Sequence, residues 1–130
     1  MDPAHILHER AHVWFAATGQ RRWASCPLIQ NGVIRILSHP RYPNTPGPPA
    51  AVMPLLADLI SAPGHEFWPD DISLLHLKWT QRRHLLQSAQ ITDGYLLALA
   101  LAHGGKLASF DTHLPVQAVL HGADALQLIP

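Results

Sequence analysis

"QITDGYLLALALAHGGKLASFD", residues 90–111, is the stretch on which the reading of this chain turns. Asp93 and Asp111 stand near its two ends, and Lys106 is the only other residue in it that carries a full charge. Its spacing predicts a helix from Asp93 to about His103, with Thr92 as N-cap and Gly104-Gly105 as the stop. Lys106 to Phe110 then reads as a strand. One carboxylate opens a helix and the other follows a strand. In an open parallel sheet, ligands collect beyond the carboxyl ends of the strands, where the following helices begin. Two ionised carboxylates facing such a crevice suit Mg²⁺ or Mn²⁺, hard ions that take oxygen ligands and keep several waters. A metal there activates water against a phosphodiester. Plainer roles stand beside this one: Asp93 as a helix-dipole residue, and Asp111 as an Asx turn or a cap for the next helix.

Outward from that stretch, strand and helix alternate. Asp2-Pro3 reads as an N-cap and first helical residue, and Ile6, Arg10, Val13, Trp14 and Ala17 recur near helical spacing until Gly19. A short strand is expected over Trp23 to Cys26, then a helix opened by Pro27 and running through Ile29, Val33, Ile36 and Leu37 to His39-Pro40. "HPRYPNTPGPP" holds five of the twelve prolines and reads as a loop. Next come a helical pattern in "AAVMPLLADLISA" interrupted by Pro54, a very short strand around Phe67, and one or two short helices in "ISLLHLKWTQRRHLL". A short helix from Leu114 and a strand in "ALQLI" close the chain. The alternation argues for an α/β domain with a mainly parallel sheet.

Composition sets the outer bounds. With 130 residues the chain is one domain's worth, and 48% hydrophobic against 14% charged residues excludes a disordered class. So little surface charge predicts that part of the surface is an interface. Lys plus Arg and Asp plus Glu balance at nine each, so net charge alone neither supports nor excludes nucleic acid. Cys26 is the sole cysteine, so no internal disulfide forms, and a packed core thiol is expected there. "MDPAHILHERAHVW" lacks a basic n-region and an apolar h-region, and no segment approaches the length of a membrane span. A cytoplasmic protein without a membrane partner is expected.

At this point the chain resembles a known family, the PIN-domain ribonucleases, in particular the VapC-type toxins of bacterial toxin–antitoxin pairs. The resemblance rests on "HERAHVWFA", "WASCPLIQNGVIRILSHPRYP", "FWPDDISLL", "QITDGYLLALALAHGGKLASFD" and "GADALQLIP", in that order and at the family's spacing. It implies a three-layer fold, a mainly parallel central sheet flanked by helices, and residues 1–130 as a single PIN-like domain. It also implies a Mg²⁺-dependent endoribonuclease with an RNA substrate, a cognate antitoxin and acidic residues clustered at the carboxyl edge of the sheet. Asp93 matches the acidic residue of an "ITDAYL"-like motif, with Gly94 replacing the commoner alanine, and Asp111 that of a "TFD"-like motif, with Ser109 in place of threonine. Both are thereby expected as catalytic metal ligands. A homodimer is expected from the low charge.

Two departures from the family pattern matter. Relatives begin with an apolar strand ending in an aspartate, and that strand is absent ahead of Asp2-Pro3. In PIN domains it resembles the middle strand, so its loss strips ladder partners from both neighbours, at roughly 1 to 3 kcal/mol per buried unpaired group, against a stability of about 5 to 15 kcal/mol. The expectation is an N-terminally incomplete domain, either read from an internal start with roughly ten to fifteen residues missing upstream, or a degraded copy. Weak or absent activity follows. Second, the acidic residue many relatives carry in the helix after "SCPLT" is replaced by Gly32, with Asn31 beside it. Some relatives share the "QNG" form, so Asn31 is a catalytic candidate that orients a water at the metal through its amide oxygen; an asparagine with no ligand role is the alternative.

Other residues invite weaker readings. His5, His8 and His12 share a helical stripe and read as a polar face rather than a zinc site. Asp70-Asp71 reads as the cap of a helix beginning near Ile72. Arg35, Arg41, Arg82, Arg83 and Lys106 are candidate contacts to an RNA backbone, with Arg35 preferred because it lies three residues after Gly32 on one helix. Trp14, Trp23, Trp68 and Trp79 read as core or interface residues. The leading reading is therefore a metal-dependent endoribonuclease toxin. Its rival is a non-catalytic PIN-like remnant that only binds antitoxin, a dimer partner or RNA, and a DNA nuclease of the same fold is a third.

Overall fold

β1, Trp23–Ser25, ends at a buried serine and passes straight into α1, Pro27–Leu37. Cys26 holds extended backbone at the N-cap, and Pro27 takes the first helical position, where a missing N–H breaks no helical bond. The computed structural model describes residues 22–76 and 78–129. The helix expected over Asp2 to Gly19, with its histidine stripe and Trp14, lies outside the described residues. The chain divides between Asp70 and Asp71 into two units.

In the N-terminal unit the proline-rich loop leads to α2, Pro49–Ile60, and then to β2, His65–Phe67. The expected break at Pro54 does not occur. Pro54 lies inside the helix and deprives only the exposed Ala50 carbonyl of a partner, which water replaces. β1 and β2 pair in parallel, with Trp23 opposite His65 and Ser25 opposite Phe67. Side chains tie this ribbon to α1. The Ser25 hydroxyl lies 2.8 Å from His65 Nε2 and accepts a hydrogen bond from Gln30 Nε2 at 2.9 Å. The Trp23 and His65 rings meet edge to face with centroids 4.4 Å apart.

In the C-terminal unit the helices expected in "ISLLHLKWTQRRHLL" are replaced by turns and a single 3₁₀ turn, Arg82–His84. The segment makes its backbone hydrogen bonds elsewhere: the Gln81 N–H donates to the Ala118 carbonyl at 2.7 Å, the Leu120 N–H to that of Trp79 at 2.8 Å, and Thr80 bridges Val119 in antiparallel fashion. A second 3₁₀ turn, Ser88–Gln90, leads into α3, Ile91–Ala102. β3, Leu107–Ser109, pairs in parallel with β4, Leu126–Leu128. Only a three-residue 3₁₀ turn, Val116–Ala118, stands where a helix from Leu114 was expected. Leu97, Ala98, Leu114, Val119 and Ala125 form the core of this unit, and Ile72, Leu74 and Trp79 pack on it.

The described residues therefore show two parallel two-stranded ribbons rather than one central sheet. Within each ribbon the inter-strand hydrogen bonds use one edge of each strand. Trp23 and Ser25 direct their backbone groups to β2, and Leu107 and Ser109 theirs to β4. By the alternation of a parallel ladder, Ala24 and Ala108 face the opposite edges, which stay open among the described residues.

Candidate active site

α3 carries the first aspartate, and its ends are set by local chemistry. Its N-cap is Gln90 rather than Thr92. The Gln90 side-chain oxygen accepts the N–H groups of Leu86 and Gln87, which stiffens the entry and starts the helix two residues early. Asp93 is thus the third helical residue. At the other end Gly104 adopts φ +70°, its N–H donates to Leu101 and the Gly105 N–H donates to Ala100 at 2.8 Å, a Schellman motif that delivers the chain into β3 two residues later. Helix and strand then run in opposite senses. From Asp93 to Ala102 the helix descends about 14 Å at about 1.5 Å per residue. β3, three residues at about 3.3 Å each, and the bend at Phe110 carry the chain on to Asp111. Both aspartates come back to one end of the unit.

The electrostatics agree with that geometry. Asp93 is half-buried, and its carboxyl is held above the ordinary aspartate range, first by burial and then by the negative charge of Asp111. A helix N-terminus on its own favours the ionised form. Desolvation and the like charge outweigh it here, so the two carboxylates lie within electrostatic range of each other. Asp111 is exposed, two residues beyond β3. Its Oδ1 accepts the His113 N–H at 2.7 Å, and its own N–H donates to Ser109 Oγ at 3.0 Å. The Asx turn is therefore real, and it fixes the carboxylate toward which Asp93 is exposed.

Two carboxylates within electrostatic range, one of them pushed toward neutrality by burial and then by the other, form an arrangement that a hard divalent cation relieves. The donor set fits such an ion as oxygen ligands, two in number. Among the described residues no group of three or more histidine, cysteine, aspartate or glutamate side chains gathers as a metal site. Asn31 and Arg35 stand one helical turn apart on α1, both exposed, in the N-terminal unit, whereas Asp93 and Asp111 belong to the C-terminal unit. Asn31 is the fifth residue of α1, too far along to cap it.

The paired aspartates of "FWPDD" behave differently from the expectation. No helix starts at Ile72; Asp70 instead caps α1, its Oδ2 accepting the Leu28 N–H at 3.0 Å across 42 residues of sequence. α1 has no capping side chain of its own and no acid in its first turn. That local deficit was the signal in the sequence for a distant cap. Cys26, 2% exposed, has its thiol pushed up chiefly by burial, so it stays protonated, as a packed thiol should. Asp71 lies 3.1 Å from His103 Nε2 at the C-terminal end of α3, a pairing that sequence reasoning missed. Trp79 packs on the C-terminal core and Trp23 on His65. Arg41, Arg82, Arg83 and Lys106 are all exposed.

The chain thus combines strand and helix with one carboxylate in the first turn of a helix and another just beyond a parallel strand. Comparison with known proteins narrows this. The chain is similar to ribonuclease VapC44 of Mycobacterium tuberculosis, 43% identical over 119 residues, or 92% of this chain and 83% of that protein. Ribonuclease VapC39 of the same organism is 35% identical over 86% of this chain and 81% of its own length, and ribonuclease VapC38 is 36% identical over 83% and 74%. No family model and no solved structure matches. The chain belongs to the VapC family of PIN-domain ribonuclease toxins.

Proposed function

We propose that the chain is a divalent-metal-dependent endoribonuclease, the toxin of a toxin–antitoxin pair, that hydrolyses RNA phosphodiester bonds. The observation that carries this reading is the placement of Asp93 in the first turn of α3 and of Asp111 two residues beyond β3, within electrostatic range of each other. In it, Asp93 and Asp111 hold Mg²⁺, or Mn²⁺ in its place. When bound, the ion supplies a Lewis acid for the phosphoryl oxygens and lowers the pKa of water. Asp111, fixed by the His113 N–H and by Ser109, presents a pre-oriented oxygen donor. Asp93, already disfavoured as a free anion, gains most from a neighbouring cation. Asn31 orients the attacking water through its amide oxygen and Arg35 binds the RNA backbone; these two roles rest on the family resemblance.

The same reading takes residues 1–130 as one PIN-like domain of the three-layer kind, located in the cytoplasm and covered by a cognate antitoxin. The open ladder edges at Ala24 and Ala108 support a further strand in its sheet. Met53, Leu55 and Leu59 on α2, each 44–55% exposed, support a homodimer. Among the described residues no helix is long and apolar enough to cross a membrane.

One observation favours a second reading, a non-catalytic PIN-like remnant that binds antitoxin, a dimer partner or RNA. Among the described residues only two acidic side chains couple, where a catalytic metal is commonly held by more oxygens. Ribonuclease assays separate the readings. Mg²⁺-dependent RNA cleavage that falls at least about a hundredfold in Asp93→Asn and in Asp111→Asn supports the enzyme. Equal cleavage by the unmodified chain and Asp93→Asn removes Asp93 from the site, and no cleavage by the unmodified chain at any divalent concentration favours the remnant.

A further inference from the structure

Between Asp71 and Asp93 the chain has no acidic residue, yet it carries Lys78, Arg82 and Arg83. Arg82 and Arg83 form the exposed 3₁₀ turn of the C-terminal unit. Among the described residues, ion pairs join Arg22 to Glu66 and three histidines to aspartates, and none engages either arginine of the turn. Arg83 Nε donates to His84 Nε2 at 3.3 Å, which occupies one donor and leaves the two terminal nitrogens of that guanidinium for another acceptor. That pair of nitrogens is the fork that matches two oxygens of a phosphate.

The position of the turn is fixed from both sides. Upstream, Thr80 and Gln81 are tied to Val119 and Ala118. Downstream, Leu85 lies against the backbone of Gly94, where an added Cβ would stand 3.2 Å from Leu85 Cδ2. Gly94 directly follows Asp93, so the absence of a side chain there lets Leu85 settle against α3 one residue past Asp93. Arg82 and Arg83 come three and two residues before Leu85, on a turn that rises only about 2 Å per residue. The two arginines thus stand two and three residues from a side chain that touches α3 next to Asp93.

Charge balance gives this juxtaposition a purpose. One divalent cation cancels the two carboxylates and no more, while an RNA strand brings a negative charge with every phosphate. Cations beyond the metal must come from the protein. We propose that Arg82 and Arg83 form a phosphate-binding fork that holds single-stranded RNA over the Asp93–Asp111 pair. This rests on the ribonuclease reading above and adds the residues that grip the substrate backbone.

The test uses the full chain carrying Asp93→Asn, so that bound RNA stays intact, with a fluorescent single-stranded RNA pool of random sequence in Mg²⁺, titrated across a salt series. Adding Arg82→Gln and Arg83→Gln should weaken binding at least about tenfold and flatten the slope of log affinity against log salt by about 1.4, at about 0.7 per lost contact to a single strand. Arg82→Lys with Arg83→Lys should restore the slope, since charge sets it. Arg22→Gln is the control, because Arg22 already faces Glu66 at 3.9 Å, and it should change neither quantity. An unchanged slope in the double glutamine variant overturns the fork. So does loss of binding to an acidic protein partner with RNA binding intact, which would make the turn a protein contact. The ribonuclease reading fails separately, if Asp93→Asn cleaves RNA as fast as the unmodified chain.

Discussion

The C-terminal unit gathers Leu97, Ala98, Leu114, Val119 and Ala125 into one buried cluster, whereas the N-terminal unit buries only Ser25, Cys26 and Val52 among its described residues. What the N-terminal unit lacks in apolar burial it replaces with polar ties: Asp70 to the Leu28 N–H, and Gln30 to Ser25 to His65. Among its described residues Leu28, Ile36, Met53, Leu55, Leu59 and Phe67 are exposed, as Leu75 and Leu86 are in the C-terminal unit. A unit that rests on apolar packing holds its side chains within tenths of an ångström, and the two carboxylates sit on that one. The exposed apolar side chains of α2 in the other unit are suited to meeting a partner. The contrast separates where chemistry is anchored from where assembly is expected.

The largest effect should come from cutting the packed cluster. Leu97→Ala removes a side chain that is fully buried in α3 and should cost about 2 to 5 kcal/mol, read as a lowered urea midpoint. A loss under 1 kcal/mol, on the order of a surface substitution, would show that this cluster does not hold the unit. An intermediate effect is expected from Asp70→Ala, which orphans the first turn of α1 and should cost about 0.5 to 2 kcal/mol. Amide exchange locates it: protection should fall over Pro27–Leu37 and stay level over Ile91–Ala102. Uniform loss of protection in both helices would mean that the two units do not open separately.

The smallest effect has the opposite sign. Because burial and Asp111 raise the Asp93 carboxyl above its ordinary value of 3.8, the folded state prefers the protonated acid. That contribution is fully present below the unfolded value and is lost as pH rises through the raised folded one. At neutral pH, Asp93→Asn should therefore melt a few degrees higher than the unmodified chain, and the advantage should vanish below about pH 3.5. Mg²⁺ should raise the melting point of the unmodified chain and do so less for the variant. A variant that melts lower at neutral pH would indicate that the carboxylate stabilises the native helix end, contrary to the balance described.

Elements bounded by strong local signals were legible in the sequence. Pro27 and Gly104 mark where α1 begins and where α3 ends, and the parallel strands near Trp23, Phe67, Leu107 and Leu126 all occur. The positions of the two aspartates, Asp93 in the first turn of a helix and Asp111 just beyond a strand, were legible as well. The middle of the chain was not. Between Ile72 and Leu85 the apolar spacing suggested helices, but the segment bonds its backbone to residues 118–120 instead, and no local pattern announces a partner that far along. Asp70 was misread for the same reason: a carboxylate before a hydrophobic run looks like a local cap, while α1 lay 42 residues upstream without one. A single central sheet was expected, and the described strands pair in twos, because pairing between distant strands depends on tertiary packing that strand composition does not encode.

The reach of that cap has a consequence for how the chain emerges from the ribosome. The Leu28 N–H is translated 42 residues ahead of the Asp70 carboxylate that caps it, and at about 5 to 20 residues per second that is a wait of about 2 to 8 seconds. Throughout that interval the nascent helix has neither its anchor nor β2 beside β1, so its apolar side chains are open to chaperones or to a second nascent chain before the first one can close.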